Sequence, residues 1–360
     1  MKSDLKLDIF PHILPRVFFE RVKGFAATNP ALAASIKRWL KIPMLWDLEA
    51  RLRMMKEFKG YRQVLTLSLP AIEFLAGPEE SPALARLGNE GMAEIVARYP
   101  DQFPAFVASL PMNNVPASLA EMDYAIRKLG AKGIKVFTNV NGRPLDEPEY
   151  FPIFERCVKT FDLPVWLHPV RTAKFADYPG EAKSKYEIWW LFGWPYETSA
   201  CMARIVFSGR LQKLPEMKVI THHLGAMAPF LEARIGLGMD QMGARTSDED
   251  YGALLKRLGK RPLDYFKMFY GDTSVNGSAS AIRCGLGFFG ADRVLFGTDC
   301  PFDPEGGPTF IRETIRALDT LKLPEAVESK VYHGNAMRML RLHLALSPGG
   351  KAGANPRARR

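Results

Sequence analysis

Short apolar runs recur along this chain, and amphipathic stretches with apolar residues three or four apart fill the intervals between them. The runs fall at about 6–13, 62–69 (YRQVLTLS), 103–110 (FPAFVASL), 133–138 (GIKVFT), 164–168, 218–223, 267–273 (KMFYGDT) and 293–299, which makes eight candidate strands. DLEARLRMMKEF, SPALARLGNEGMAEIVARY, SLAEMDYAIRKLG and DPEGGPTFIRETIRALDTL carry the helical spacing. Alternation of this kind predicts an α/β fold with a parallel sheet, and eight units in succession favour closure into a (β/α)8 TIM barrel. The stretch from about 172 to 200 is long for a connection after the fifth strand and predicts an inserted loop and helix region. The barrel is expected over residues 1–345, and 346–360 reads as a flexible basic tail.

Four of the runs end in residues that can hold a metal: LDIFPHILP with His12, LPVWLHPV with His168, KVITHHLGAMAP with His222 and His223, and RVLFGTDCPF with Asp299. Side chains two apart on a strand share a face, and inward residues at strand C-termini converge over a barrel's top. Asp8, Phe10 and His12 should therefore face one way. A single histidine after a strand is usually packed or at the surface, but here four of only six histidines fall at strand ends. His222 adjoins His223 and should point away from it if the strand continues, which predicts a packing or supporting role.

Composition adjusts this picture only slightly. A chain of 360 residues that is 47% hydrophobic can bury one large catalytic core. Cys157, Cys201, Cys284 and Cys300 are far apart and form no zinc-finger spacing, which suits a reducing cytoplasm. MKSDLKLDIF leads straight into a strand, and no run of about 18 apolar residues follows, so neither secretion nor a membrane span is expected. The formal charge of +10 comes from dispersed basic residues, which argues against a nucleic-acid partner while favouring an anionic substrate. Three of the six tryptophans, Trp189, Trp190 and Trp194, lie in the 172–200 stretch. Packing accounts for at least one of them, and a planar or aromatic substrate suits the others, with Trp190 as the candidate contact.

From about residue 6 to residue 342 the chain resembles the amidohydrolase superfamily, in particular its branch typified by aminocarboxymuconate semialdehyde decarboxylase. In that branch the first strand carries an HxH pair, and FPH occupies positions 10 to 12 here. The strand-five histidine matches His168 in LPVWLHP, the catalytic strand-six histidine matches His223 in HLGAMAP, and the strand-eight aspartate matches Asp299 in FGTDCPF. WDLEARLRMM, WPYETSACMARIVFSG and FLEARI add to the similarity. Two departures bear on chemistry: Phe10 replaces the first histidine, and Ile42 stands where the branch has a substrate-binding arginine.

The resemblance implies one divalent ion, zinc with manganese as the alternative, on His12, His168 and Asp299. It also implies His223 as the proton shuttle and a dual role for Asp299 as ligand and catalytic group. Arg171 and Arg234 become candidates to pair with a substrate carboxylate, and Arg234 can in the family serve a neighbouring subunit, which implies a homodimer or larger assembly. Some amidohydrolases bridge two metals with a strand-four lysine, but at Lys135 a structural salt bridge is the expectation. The leading reading is a nonoxidative decarboxylase, a carbon–carbon lyase acting on a small planar or aromatic acid. A hydrolase or hydratase of a lactone, amide or related bond on the same residues is the alternative, and a non-catalytic barrel that has lost its metal is the third.

Overall fold

The computed structural model describes residues 3–26, 30–246 and 249–345. The proposed tail at 346–360 lies outside the described residues. The expected strands form a parallel sheet of β1 (Lys6–Asp8), β2 (His12–Ile13), β3 (Tyr61–Leu67), β4 (Ala105–Ser109), β5 (Ile134–Phe137), β8 (Val165–His168), β9 (Val219–Thr221), β10 (Tyr270–Asp272) and β11 (Val294–Leu295). Strands β6 (Asn139–Val140) and β7 (Arg143–Pro144) form a separate antiparallel hairpin. The first expected strand is split, because the Phe10 N–H turns to Asp8 Oδ1 at 3.0 Å, and β1 and β2 each pair with β3. The run at 267–273 is shorter than expected: the helix Pro262–Phe266 ends just before it, and only Tyr270–Asp272 pairs with its neighbours.

Sheet order follows chain order, from β1 through β3, β4, β5, β8, β9 and β10 to β11, as crossover helices require. Among the described residues no strand ladder joins β11 to β1. The two ends nevertheless meet: the Ile9 N–H donates to the Phe296 carbonyl at 3.0 Å and the His12 N–H to the Cys300 carbonyl at 2.7 Å. Leu7, Val64, Val107, Trp166, Ile220 and Leu295, drawn from strands all along the sheet, pack into one apolar cluster with Leu340. A flat sheet could not bring Leu7 and Leu295 together. A second and larger cluster lies between the sheet and its helices.

The junction of the two ends is polar. Asp8 Oδ1 accepts from the Thr298 N–H (3.2 Å), and Oδ2 accepts from the hydroxyls of Tyr61 (2.6 Å) and Thr298 (2.5 Å). Gln63 Nε2 donates to the Tyr61 hydroxyl at 2.9 Å, and the fully buried Arg51 donates to Gln63 Oε1 at 2.5 Å and to the His12 carbonyl. Arg51 sits on the helix Leu48–Met55, whose first turn is capped by Asp47 accepting from the Glu49 and Ala50 N–H groups. No helix among the described residues is long and apolar enough to cross a membrane.

Two stability predictions follow from these buried groups. Thr298→Val removes the hydroxyl that donates to the buried Asp8 carboxylate and accepts from the Cys300 N–H, and should lower unfolding stability by about 1–3 kcal/mol in urea titration, with the sheet retained in circular dichroism. Glu73 is buried, its Oε1 has no hydrogen-bond partner, and burial pushes its carboxyl from 4.5 up to about 7. The fold keeps this proton where the unfolded chain has released it, so stability should fall as pH rises from 4.5 to 7 and then level off. Glu73→Gln should remove that loss, on the order of 2–3 kcal/mol, in melts compared at pH 5 and pH 8.

Candidate metal centre

The imidazoles of His12, His168 and His222 are all buried, and each is oriented through Nδ1. His12 Nδ1 faces Thr66 Oγ1 at 3.3 Å, and the Thr66 hydroxyl itself donates to the Pro11 carbonyl at 2.6 Å. His168 Nδ1 meets the Pro169 carbonyl at 2.7 Å, and His222 Nδ1 meets Asp272 Oδ2 at 2.5 Å. These acceptors assign a ring proton to each Nδ1 and turn the three Nε2 atoms toward one another. Donor atoms of the three rings lie within 4.8 Å of one another, as do those of His222, His223 and Asp299.

Asp299 Oδ1 sits between two of the rings, 3.0 Å from His12 Nε2 and 3.4 Å from His222 Nε2. Despite that approach, the buried His12 Nε2 has no properly aligned hydrogen bond. Two donors each about 2.1 Å from one ion stand roughly 3.0 Å apart at a right angle and about 3.4 Å apart at the tetrahedral angle. The observed spacings match, so the residues fit a divalent ion. Its electrostatics suit one too. Burial, then the Lys135 ammonium, lowers His12 to about 3 and holds His168 well below its ordinary value, so both are neutral donors. Burial alone would raise Asp299, but the neighbouring imidazoles of His12, His222 and His223 hold it well below the usual carboxylate range. Burial alone would lower His222, whereas the carboxylates of Asp272 and Asp299 push it up to about 9, so an ion bound at its Nε2 would displace a proton.

His222 corrects the expectation from strand alternation. Strand β9 stops at Thr221, and His223, Leu224 and Ala226 take left-handed backbone angles, φ 56, 56 and 55°. The extended geometry that would send adjacent side chains to opposite faces is lost, and the two histidine rings lie 3.9 Å apart on the same side. Asp272 can reach His222 because Gly297 lies against it: a Cβ there would stand 2.9 Å from Asp272 Cβ.

His223 Nε2 lies 3.8 Å from Asp299 Oδ2, while its buried Nδ1 has no partner. Burial, then the neighbouring His222, lowers its pKa. Phe10 is at the centre of the cluster as expected, within 6.0 Å of the rings of His12, His168 and His222. Asp8 lies beneath it, with its carboxylate committed to Phe10, Tyr61 and Thr298.

Residues 169–187 hold only turns and bends, followed by the helices Ile188–Leu191 and Gly193–Phe207. From this region Trp194, rather than Trp190, reaches the histidines, with ring centroids 5.7 Å from His168 and 6.4 Å from His223. Trp190 touches Trp194 and donates to Glu187 Oε2 at 2.8 Å. Arg171 is ion-paired to Glu197 at 3.0 Å, and its carbonyl accepts from Trp194 Nε1 at 3.2 Å. Arg234 stands exposed on the helix Glu232–Met239. Lys135 donates to the Leu67 carbonyl at 2.6 Å rather than to a carboxylate, and burial lowers it to about 7.

The amidohydrolase family model matches residues 34–342. The chain belongs to the amidohydrolase family. It is 28% identical over 352 residues to 2-amino-3-carboxymuconate-6-semialdehyde decarboxylase of Dictyostelium discoideum, a match that covers 94% of this chain and 92% of the relative. It is 30% identical over 325 residues to gamma-resorcylate decarboxylase of a Polaromonas species, covering 85% of this chain and 92% of the relative. A solved structure of a Polaromonas dihydroxybenzoic acid decarboxylase, with manganese and the inhibitor 2-nitroresorcinol bound, superposes with TM-score 0.72 at 25% identity. That match covers 96% of this chain and 98% of the other. The chain is thus a member of the decarboxylase branch, the carboxy-lyases of the superfamily.

Purified protein is expected to carry about one equivalent of divalent metal, because the two groups of converging donors overlap at His222. His168→Ala should lose that metal in elemental analysis while keeping its circular dichroism.

Proposed function

We propose that this protein is a metal-dependent nonoxidative decarboxylase of a small, planar aromatic carboxylic acid, its sheet closed as a (β/α)8 barrel around the site. The observation that carries the reading is two overlapping groups of converging donors, His12 with His168 and His222, and His222 with His223 and Asp299, with Asp299 Oδ1 also 3.0 Å from His12 Nε2. The relatives are decarboxylases of such acids by name, which favours this reaction over the hydrolytic alternative on the same residues. A non-catalytic barrel would leave buried donors such as His12 Nε2 with nothing to bind.

His12, His168 and Asp299 would hold a divalent ion, zinc or manganese. When bound, it supplies Lewis acidity toward the substrate's carboxylate and neighbouring oxygen. Trp194 offers an aromatic face at the mouth of the site, beside His168 and His223. Arg171 is positioned near Trp194, and a substrate carboxylate would have to displace Glu197 to pair with it. Trp190 supports Trp194 from behind.

The imidazole of His223 moves the proton, exchanging it with Asp299 Oδ2 and delivering it to the carbon that loses the carboxylate. The carbon–carbon bond breaks with its electron pair left on that carbon, which takes the proton, and CO2 departs. Phe230 and Leu237 are 83% and 69% exposed on either side of Arg234, a surface that fits a second copy and supports a homodimer. A cytoplasmic location rests on the four unpaired cysteines.

Wild-type protein should release CO2 from an aromatic acid of the dihydroxybenzoate or carboxyvanillate type and, in D2O, leave one deuterium at the carbon that lost it. Incorporation of 18O from water without loss of carbon would overturn the assignment in favour of hydrolysis. His223→Ala should lower turnover on the order of 10²–10⁴-fold with metal content unchanged.

A further inference from the structure

We propose that His222 is itself a ligand of the divalent ion, filling the position that Phe10 cannot supply. This rests on the metal-dependent reading above and adds a fourth protein donor to His12, His168 and Asp299. Phe10 is fully buried at the centre of the site and has no donor atom. Its ring lies flat against His222, with centroids 3.9 Å apart and planes 19° apart, so His222 stands directly beside the place from which a donor at position 10 would reach.

The orientation of His222 is that of a ligand. Asp272 takes the Nδ1 proton at 2.5 Å and is itself fixed by the N–H groups of Ser274 (3.0 Å) and Leu224 (3.3 Å). This carboxylate–imidazole pairing fixes the tautomer and aims Nε2 at the cluster, as in metal sites generally. His222 is also the member common to both groups of converging donors, joining His12 and His168 on one side and His223 and Asp299 on the other. Its Nε2 also stands 3.4 Å from Asp299 Oδ1, the spacing of two donors on one tetrahedral ion. One consequence concerns the ion. Four protein donors would close a tetrahedral zinc, so room for substrate then requires an ion that takes five or six ligands, as manganese does.

The test measures metal binding rather than turnover. The full-length chain, stripped with chelator, is titrated with Mn2+ by competition against a chromophoric chelator and separately loaded with Co2+ for its visible spectrum. His222→Gln, which preserves a polar contact for Asp272, should weaken Mn2+ binding by more than about 100-fold, beyond the loss typical of an outer partner, and change the Co2+ spectrum. Phe10→His combined with His222→Ala should recover affinity relative to His222→Ala alone. On the unsubstituted protein, X-ray absorption at the bound metal should count three imidazoles, from His12, His168 and His222. Unchanged affinity and spectrum in His222→Gln, or two imidazoles in the unsubstituted protein, would overturn the assignment while leaving the metal-dependent reading intact. If the unsubstituted chain binds neither ion, that reading fails as well, and the two failures are told apart.

Discussion

The carboxylate of Asp8 ties the first strand to the last at the junction where no strand ladder among the described residues joins them. It is inaccessible to solvent, and burial raises its pKa to about 6, yet four hydrogen bonds from Phe10, Tyr61 and Thr298 surround it. Tyr61 belongs to β3 and Thr298 follows β11, so this side chain of β1 adds to the two backbone hydrogen bonds, Ile9 to Phe296 and His12 to Cys300, that join the ends of the sheet. The same network passes through Gln63 and Arg51 to the carbonyl of His12. His12 is thereby fixed to the element that brings the sheet ends together, and the geometry of the site depends on that junction.

Above the junction, burial and charge act in opposite directions on neighbouring groups. Desolvation keeps His12 and His168 neutral, while the histidines around Asp299 keep it ionised, and this mixture of neutral nitrogens and one anion is what a divalent ion requires. Lys135, buried beneath the cluster, adds positive charge that deepens the neutrality of the imidazoles. The left-handed backbone at His223 and at Asp299 (φ 65°) is a local cost that accompanies the approach of their side chains to 3.8 Å.

Much of this was legible in the chain itself. Alternating apolar runs and amphipathic stretches marked the parallel sheet, and ligand-type residues at the ends of those runs marked His12, His168, His223 and Asp299, because strand ends converge whatever loops join them. The orientation of His222 was not legible: strand alternation holds only while the backbone stays extended, and β9 ends one residue earlier, at Thr221. Trp190 and Trp194 could not be told apart either, since no repeat governs residues 169–187, and which indole reaches His168 depends on how that segment folds back.

The pattern of side chains therefore determined the class of fold, the end of the sheet that carries the chemistry and most of the donor set, all of which follow from local periodicity and the shared direction of parallel strands. Tertiary structure alone decided that Asp8 serves the sheet junction rather than the ion, that Arg171 is paired with Glu197, and that His222 turns inward beside Phe10. Each of these depends on contacts between residues far apart in the chain, or on one left-handed turn, and neither leaves a period in the sequence.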